Sequence, residues 1–268
     1  MAEMRSSSSD ALPLKGRVAI ITGGSRGIGR AIALHFSSLG AKVVINYASN
    51  SAQADQLVSE LNSTASEVTS SDGHPRAIAI KADVSDEEQV RNLFDQAETL
   101  FGAIQILVHS AGVLDSKYPA IGNTTVADWD KTFNINTKGA FLCCREAVNR
   151  FAHGGRIIMI SSSLVAGLQP GYGAYTASKA AVETMIKITA KELKGKGVTA
   201  NCIAPGPTAT ELFFEGKSEE TIKRMMDLCP LGRLGQTDDV TPIVGLLASD
   251  AGEWINGQVI RVNGGAIV

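Results

Sequence analysis

The sequence predicts an α/β fold, a single Rossmann-like, doubly wound parallel sheet with helices on both faces. Short apolar runs rich in β-branched residues alternate with segments of helical periodicity along the chain. Each run is mainly apolar without a strict polar alternation, as expected for strands that helices cover on both faces. No linker or shift in composition divides the 268 residues. We therefore expect a disordered tail at 1–13 and one domain at 14–268.

The individual elements follow from the contrast between apolar runs and amphipathic segments. The predicted strands are residues 17–22, 41–46, 77–82, 105–109, 156–160, 198–203 and 259–262. The predicted helices are residues 30–39, 51–64, 85–101, 126–135, 139–150, 180–193 and 240–249. Ser85 with Glu88 three residues later predicts a capping box at the start of the third helix. The irregular stretch at about 206–232 fits either a substrate lid with an apolar inner face or a plain surface helix.

Composition argues against several classes of function. The net charge is −2, with no basic patch, so no nucleic-acid partner is expected. No run approaches the ~18 apolar residues of a membrane span. The four cysteines show no metal-ligand spacing, so no metal site is expected, and reduced thiols favour a cytoplasmic location. The Ser-rich tail carries one Arg together with Glu3 and Asp10, which argues against a transit peptide.

Three glycines, Gly23, Gly27 and Gly29, lie between the first predicted strand and the first predicted helix. Their G-x-x-x-G-x-G spacing differs from the dinucleotide fingerprint G-x-G-x-x-G. Taken alone, they fit a tight turn that needs glycine for packing. In an alternating strand–helix pattern they favour a loop whose backbone approaches a pyrophosphate at a helix N-terminus.

The end of the second predicted strand favours NADP(H) over NAD. It reads Asn46-Tyr47-Ala48-Ser49-Asn50, and the first acidic residue after it is Asp55. A site that prefers NAD places a carboxylate near this point to bind the ribose hydroxyls. Arg26 in the glycine loop is suited to pair with a 2′-phosphate. In the alternative, Arg26 is merely solvated and Asn46 holds the ribose.

A proton-transfer site is predicted where the strand at 156–160 leads into the next helix. Tyr175 and Lys179 are four residues apart and share one helical face. An ammonium beside a phenol favours the phenolate and lowers its pKa from the usual ~10. A hydroxyl at the end of the strand would hold a carbonyl oxygen against that phenol, and the residues alone leave Ser161, Ser162 and Ser163 open.

These motifs, in this order, resemble those of the short-chain dehydrogenase/reductases of the Tyr-x-x-x-Lys type. The resemblance runs from about Leu14 to the C-terminus, and it is similar in detail to plant NADPH-dependent aldehyde reductases. It implies NADP(H) as cofactor and the following cofactor-binding residues: Gly23, Ser25, Arg26, Gly27, Ile28, Gly29, Asn46, Tyr47, Ala48, Ser49, Asn50, Asp83, Val84, Ser110, Ala111, Gly112, Tyr175, Lys179, Pro205, Gly206, Thr208 and Thr210.

The same resemblance implies the catalytic residues Asn136, Ser162, Tyr175 and Lys179. The family's serine usually lies 13 residues before the tyrosine, which selects Ser162. Asn136 follows from its register against Gly139, and its usual role is to hold a water. One departure is His109-Ser110, which stands where the family commonly has two asparagines.

The implied activity is a reversible NADPH-dependent reduction of a mainly apolar aldehyde or ketone, in plant specialised metabolism. The expected pocket residues are Tyr118, Leu164, Val165, Leu168 and Tyr172. The resemblance also implies a homo-oligomer, a tetramer or a dimer, paired through helices at 139–152 and 177–194, which would bury the faces that carry Phe141, Phe151 and Met185. A 3-oxoacyl-carrier-protein reductase and a non-catalytic NADPH sensor remain as alternatives. No Gly-x-Ser-x-Gly elbow is present, which argues against a hydrolase.

Overall fold

Seven parallel strands form one sheet in the computed structural model, which describes residues 12–63 and 74–268. The strand order is β3-β2-β1-β4-β5-β6-β7, and every neighbouring pair is parallel. The strands are β1 Val18–Thr22, β2 Lys42–Tyr47, β3 Ala77–Lys81, β4 Ile106–His109, β5 Arg156–Ile160, β6 Thr199–Pro205 and β7 Val259–Val262. The predicted doubly wound, Rossmann-like fold is confirmed.

Ten α-helices connect the strands or follow them within the described residues. They are α1 Gly27–Ser38, α2 Ser51–Ser63, α3 Glu87–Phe101, α4 Val126–Phe133, α5 Gly139–Arg150, α6 Leu164–Gly167, α7 Gly173–Glu192, α8 Glu211–Phe214, α9 Glu219–Asp227 and α10 Thr237–Ala248. Short 3₁₀ turns occur at Ile121–Asn123 and Asp250–Gly252. Of these helices, none combines the length and apolar character that crossing a membrane requires.

Successive residues of each strand pack into two separate cores, one on each face of the sheet. Val18 and Ile20 of β1 face the core that contains Phe94 of α3. Ala19 and Ile21 face the opposite core, which contains Phe36 of α1. All five residues of β1 are buried, which explains why the strand lacks the polar alternation of a half-exposed sheet.

The strand order reverses between β1 and β4, so the connections that follow these two strands lead to opposite faces of the sheet. Ligands of open α/β sheets bind in the crevice at such a switch point, outside the carboxyl ends of the strands. The loops after β1, β4, β5 and β6 all leave the same edge of this parallel sheet. They carry most of the predicted site residues.

Three local expectations differ from the structure. The predicted capping box is wrong, because α3 starts at Glu87 and Asp86 caps it by accepting a hydrogen bond from the Gln89 N–H. The helix expected at 180–193 begins earlier, at Gly173. The helices expected at 126–135 and 139–150 are continuous, since a π-helical turn at Asn134–Lys138 joins α4 to α5.

Two predictions reach beyond the described residues. Most of the expected tail at 1–13 lies at residues 1–11, and the end of the helix expected at 51–64 lies at residue 64, both outside the described ranges. The division into one domain with a lid therefore stays a prediction for the chain as a whole.

Candidate active site

The glycine loop folds back tightly on itself and on the end of β4. A Cβ on Gly23 would lie 2.8 Å from the Ala111 Cα, and Gly23 has a φ of +60°. A Cβ on Gly29 would lie 2.3 Å from the Gly23 carbonyl oxygen. Gly27, at φ +54°, is different, because the nearest atom to its Cβ position is 3.6 Å away on Thr210. Packing thus explains Gly23 and Gly29, while Gly27 keeps the backbone open towards the segment after β6.

The N-terminus of α1 is free to bind an anion. The helix begins at Gly27, Arg26 makes no side-chain cap there, and the first turn contains no acidic residue. Ser25 is buried beside it and Ile28 packs against the core. The N–H groups of a first helical turn lack partners within the helix and carry partial positive charge. These features, with the glycine backbone, fit the pyrophosphate of a dinucleotide.

Some polar side chains at the end of β2 make internal hydrogen bonds, and others lie at the surface. Asn46 is buried, and its amide nitrogen donates to the carbonyl oxygens of Ala82 at 2.9 Å and Ile80 at 3.4 Å. The Asn50 side-chain oxygen accepts from the Gln53 N–H at 3.1 Å, at the start of α2. The remaining residues are half-buried or exposed: Tyr47, Ala48 and Ser49. The amide of Asn46 therefore ties β2 to β3.

Arg26 has a partner across the site. Its guanidinium Nη1 lies 2.8 Å from Oε2 of Glu211, at the start of α8, and both side chains are 61 % exposed. The pair joins the glycine loop to the segment after β6. Because it is so exposed, it contributes little to stability, and an anion of higher charge would compete for Arg26.

Asp83 and Val84 follow β3. Asp83 is exposed, and its Oδ1 accepts hydrogen bonds from the Ser85 N–H at 2.9 Å and the Ser85 hydroxyl at 2.7 Å. Val84 is buried against Gly139, where a Cβ would lie 2.7 Å from the valine Cγ2. Close packing between this loop and the start of α5 fixes both residues near the sheet edge.

Thr22, which no sequence motif singles out, holds the loop after β4 by hydrogen bonds. Its Oγ1 accepts from the N–H groups of Ser110 at 3.1 Å and Ala111 at 3.2 Å. It also lies 3.0 Å from Nδ1 of His109. The signal for this role was the position of a buried hydroxyl at the end of β1, directly before the glycines.

His109 is neutral in its buried position. Burial lowers the pKa of its imidazole to about 3, and the nearby charge of Lys179 acts in the same direction. Its Nδ1 meets Thr22, whereas Nε2 has no hydrogen-bond partner among the described residues. Where the family commonly has an asparagine, this protein therefore has a histidine that makes one side-chain hydrogen bond, to Thr22.

The three serines that follow β5 differ in their hydrogen-bond partners. The Ser161 hydroxyl donates to Oε1 of Glu183 at 2.7 Å, and the Ser163 hydroxyl donates to the Ala204 carbonyl at 2.8 Å. Ser162 Oγ accepts from the Leu164 N–H at 3.2 Å and also interacts with the Tyr175 phenol. Of the three, only Ser162 faces the tyrosine.

Tyr175 and Lys179 occupy the first two turns of α7. The Lys179 ammonium lies 5.9 Å from the centroid of the Tyr175 ring, and its Nζ donates to the Ile160 carbonyl at 2.8 Å. Burial raises the pKa of Tyr175, which the Ser162 hydrogen bond only partly opposes. The pKa of Tyr175 therefore shifts in the direction opposite to the lowering expected from Lys179, and burial also lowers the pKa of Lys179 to about 8.

Asn136 is fully buried in the π-helical turn and holds the loop after β4. Its Oδ1 accepts from the Val113 N–H at 2.8 Å, and its Nδ2 donates to the Val113 carbonyl at 2.9 Å and to Ser178 Oγ at 3.0 Å. A Cβ on Gly112 would lie 3.3 Å from both Asn136 Oδ1 and Lys179 Nζ. Asn136 and Lys179 are therefore close neighbours across Gly112.

The segment after β6 closes the site from the other side. Gly206 is required there, since its Cβ would lie 2.6 Å from the Asn263 Cβ. Thr208 Oγ1 donates to the Gly206 carbonyl at 3.0 Å, and Thr210 caps α8 by accepting from the Phe213 N–H at 3.2 Å. Pro205 ends β6, so these residues stand directly above the sheet edge. The described residues hold no cluster of His, Cys, Asp or Glu arranged for a metal ion.

Comparison with known proteins agrees with this geometry. A family model described as enoyl-(acyl carrier protein) reductase matches residues 23–266. The chain belongs to the short-chain dehydrogenase/reductase family. It is 56 % identical over 270 residues to an NADPH-dependent aldehyde reductase-like chloroplastic protein of Arabidopsis thaliana, covering 100 % of both chains. NADPH-dependent aldehyde reductase 2, chloroplastic, of the same plant is 50 % identical, again covering 100 % of both.

A solved short-chain dehydrogenase from Burkholderia cenocepacia, in complex with NADP, has the same fold. It superimposes with a TM-score of 0.86 at 32 % identity and covers 95 % of this chain and 99 % of that one. The two Arabidopsis relatives also contradict one expectation. Both are named chloroplastic, so the cytoplasmic location predicted from the cysteines is wrong, since reduced thiols do not distinguish between reducing compartments.

The segment that follows β6 contains α8 and α9. Met225 is buried and Phe213 is half-buried, while Phe214 is 43 % exposed. Tyr118 and Tyr172 pack together with ring centroids 5.0 Å apart. Leu168, expected in the pocket, is instead 73 % exposed. The roles assigned to the individual site residues stay predictions.

Proposed function

We propose that this protein is an NADPH-dependent reductase that acts reversibly on a mainly apolar aldehyde, ketone or secondary alcohol. The observation that carries the proposal is the convergence of Ser162, Tyr175 and Lys179 beside the glycine loop. The Arabidopsis aldehyde reductases, similar over their whole length, support this cofactor and this class of reaction.

The residues that would hold the cofactor line one edge of the sheet. Gly23, Gly27 and Gly29, with the N-terminus of α1, would hold the pyrophosphate. Arg26 would leave Glu211 and pair with the 2′-phosphate, since no carboxylate of β2 repels that group. Further contacts would come from the loops after β3, β4 and β6: Asp83, Val84, Ser110, Ala111, Gly112, Pro205, Gly206, Thr208 and Thr210.

Side chains of this protein would supply the proton that the substrate's carbonyl oxygen takes up. When bound, NADPH supplies the hydride that the carbonyl carbon receives. Ser162 would donate a hydrogen bond to the substrate's carbonyl oxygen, and Tyr175 would donate the proton which that oxygen takes up. The raised pKa of Tyr175 keeps the phenol protonated at neutral pH, which suits reduction. Lys179 would bind the nicotinamide ribose, and Asn136 would carry the water that connects the lysine to solvent.

The first experiment is NADPH oxidation with a panel of aldehydes and ketones, for the wild type and for Tyr175→Phe. A general acid contributes roughly 10²–10⁴-fold, so this variant should lose at least ~100-fold in kcat. NADPH binding, followed by cofactor fluorescence, should survive, because the ring remains. Near-full kcat in Tyr175→Phe would refute the assignment.

The same panel separates the alternative functions. The segment at 206–232 exposes Glu211, Glu219 and Glu220, a poor surface for an acidic carrier protein. A strong preference for 3-oxoacyl thioesters on the carrier would nevertheless support the carrier-protein reductase. Tight NADPH binding without turnover of any carbonyl compound would support the sensor.

We also propose a homo-oligomer paired through α5 and α7. An exposed apolar groove runs between these helices, and it is lined by Phe141, Val148, Met185 and Ile188. Phe141 is 46 % exposed and Ile188 is 52 % exposed. Phe151, also expected at the interface, is instead buried in the core. A second copy that covers the groove would remove these side chains from water.

A plastid location is proposed from the chloroplastic relatives. A fluorescent fusion of the full chain in plant cells would test it, and diffuse fluorescence outside plastids would contradict it. A role in plant specialised metabolism stays a prediction until the substrate is known.

A further inference from the structure

Lys217, just after α8, reaches into a cluster of aromatic rings beside the active site. Its Nζ lies 4.5 Å from the ring centroid of Tyr118, 4.7 Å from that of Phe213 and 5.9 Å from that of Tyr172. The same nitrogen donates hydrogen bonds to Tyr118 Oη and to the Phe213 carbonyl oxygen, each at 2.5 Å. We call these four residues the aromatic–lysine cluster.

The aromatic–lysine cluster adjoins the proton donor. Tyr172 immediately precedes α7 and lies one helical turn before Tyr175. Burial raises the pKa of Tyr172, and the neighbouring Tyr118 and Tyr175 act in the same direction. Gly216 allows the segment after α8 to lie close to the loop that contains Ser116, because a Cβ at this position would lie 2.0 Å from the Ser116 carbonyl oxygen. The ammonium therefore lies next to Tyr172, which lines the same pocket as the phenol of Tyr175.

The charge of Lys217 is poorly compensated in this position. Within the part of the chain that the structure describes, no carboxylate lies within ion-pairing distance of its Nζ. Two of its three N–H groups have acceptors, and the third has none among the described residues. Burial lowers the pKa of the ammonium to about 8, while the more distant Glu215 acts in the opposite direction. An ammonium in such surroundings gains from an anionic partner.

We propose that Lys217 is a specificity-determining residue that pairs with an anionic oxygen on the substrate, at the end away from the reacting carbonyl. The inference rests on the proposed reductase function and narrows its substrate class. The aromatic rings would receive an apolar body and the ammonium a carboxylate or phenolate. The preferred substrates are thus mainly apolar aldehydes or ketones that carry one such oxygen.

A purely structural role for Lys217 predicts a different result. Its hydrogen bonds join α8 to the loop that contains Tyr118, and they would hold the lid closed over any substrate. If this were the only role, removing the charge would impair charged and uncharged substrates to the same extent. The test therefore compares two substrates that differ only in the group facing Lys217.

The experiment measures kcat/KM for para-carboxybenzaldehyde and para-methylbenzaldehyde with NADPH. The variants are Lys217→Met, which keeps the apolar stem, and Lys217→Arg, which keeps the charge. Lys223→Met, an exposed lysine of the same segment, serves as the matched control. A charge-assisted hydrogen bond is worth about 1.5–3 kcal/mol. Lys217→Met should thus lose at least ~10-fold in kcat/KM for the carboxylated aldehyde, but much less for the methyl analogue.

Lys217→Arg should retain most of this preference, and Lys223→Met should retain all of it. Equal losses for both aldehydes would show that Lys217 only holds the lid, and unchanged values for both would show that it does not face the substrate. Either result overturns the inference.

A binding measurement separates the inference from the proposed function. Calorimetry would follow para-hydroxymethylbenzoate binding to the wild type and to Lys217→Met in the presence of NADP. Weaker binding to the variant, without turnover of either aldehyde by the wild type, would reject the reductase function and keep the anion site. Equal binding to both proteins, or none to either, would reject the anion site.

Discussion

At the scale of single residues, hydrogen bonds distinguish side chains that look alike in the sequence. The hydroxyl groups of Ser161 and Ser163 donate hydrogen bonds to Glu183 and to the Ala204 carbonyl oxygen. Ser162 alone interacts with Tyr175. No property of three consecutive serines reveals this difference, because it depends on segments far along the chain. The resemblance to the family selects the same serine by its spacing to the tyrosine.

Ser162→Ala and Ser161→Ala form a matched pair of variants. Removing a hydrogen-bond donor to a developing oxyanion costs roughly 10²–10³-fold in kcat. We therefore expect a loss of at least ~100-fold for Ser162→Ala. Ser161→Ala should keep most of its turnover while losing about 1–3 kcal/mol of stability, because buried Glu183 loses a partner. Steady-state kinetics and thermal unfolding measure the two effects, and comparable kcat losses would contradict the choice of serine.

Lys179 should make the stability of the cofactor-free protein depend on pH. Burial lowers its pKa from 10.5 to about 8. Between these values the unfolded chain binds more protons than the native protein, so this lysine makes stability rise with pH across that window. Relative to Lys179→Met, the Tm of the wild type should therefore increase from neutral pH to above pH 10. A Tm difference that is constant with pH would contradict this expectation.

At the scale of elements, periodicity predicted all seven strands and most of the long helices to within a few residues, but it placed the start of α7 seven residues too late. It missed the π-helical turn that joins α4 to α5, in which Asn136 lies. It left the stretch that contains α8 and α9 open between a lid and a surface helix, and it assigned the cap of α3 to Ser85 instead of Asp86. Short helices and caps depend on single hydrogen bonds, which leave little trace in an apolar pattern.

The contact between the glycine loop and α8 predicts a change in cofactor preference. Arg26→Ala should raise the KM for NADPH about tenfold, the cost of one charge-assisted hydrogen bond. Its KM for NADH should change little. Glu211→Gln removes the carboxylate that competes for Arg26, so it should lower the KM for NADPH.

Steady-state kinetics of both variants with both cofactors would test this. An unchanged ratio of kcat/KM for NADPH over NADH in Arg26→Ala would contradict the role of Arg26. A wild-type protein that used NADH as well as NADPH would contradict the cofactor assignment itself.

At the scale of the whole molecule, two cores on opposite faces of one parallel sheet hold the site together. The sheet collects the loops after β1, β4, β5 and β6 at a single edge. On the outer surface of α5 and α7, a groove lined by Phe141, Val148, Met185 and Ile188 is exposed. Exposed apolar patches of this kind mark contacts with other proteins.

Charged substitutions in this groove should separate the subunits. Phe141→Glu and Ile188→Glu place a carboxylate at exposed positions, where folding tolerates it but a dry interface does not. Light scattering after size exclusion should show an oligomer for the wild type and smaller species for both variants. Val126→Glu, at an exposed position outside the groove, should keep the wild-type mass. A monomeric wild type would contradict the proposed pairing.

The sequence by itself determined the parallel α/β fold and the places of the glycine loop, Tyr175 and Lys179. These depend on periodicity and on spacing between near neighbours, which are local properties of the chain. Only the tertiary structure decided that Ser162 faces Tyr175 and that the amide of Asn46 is held by β3. It also decided that burial raises the pKa of Tyr175, and that Lys217 stands among aromatic rings. These properties depend on which distant segments meet and on how much water they exclude.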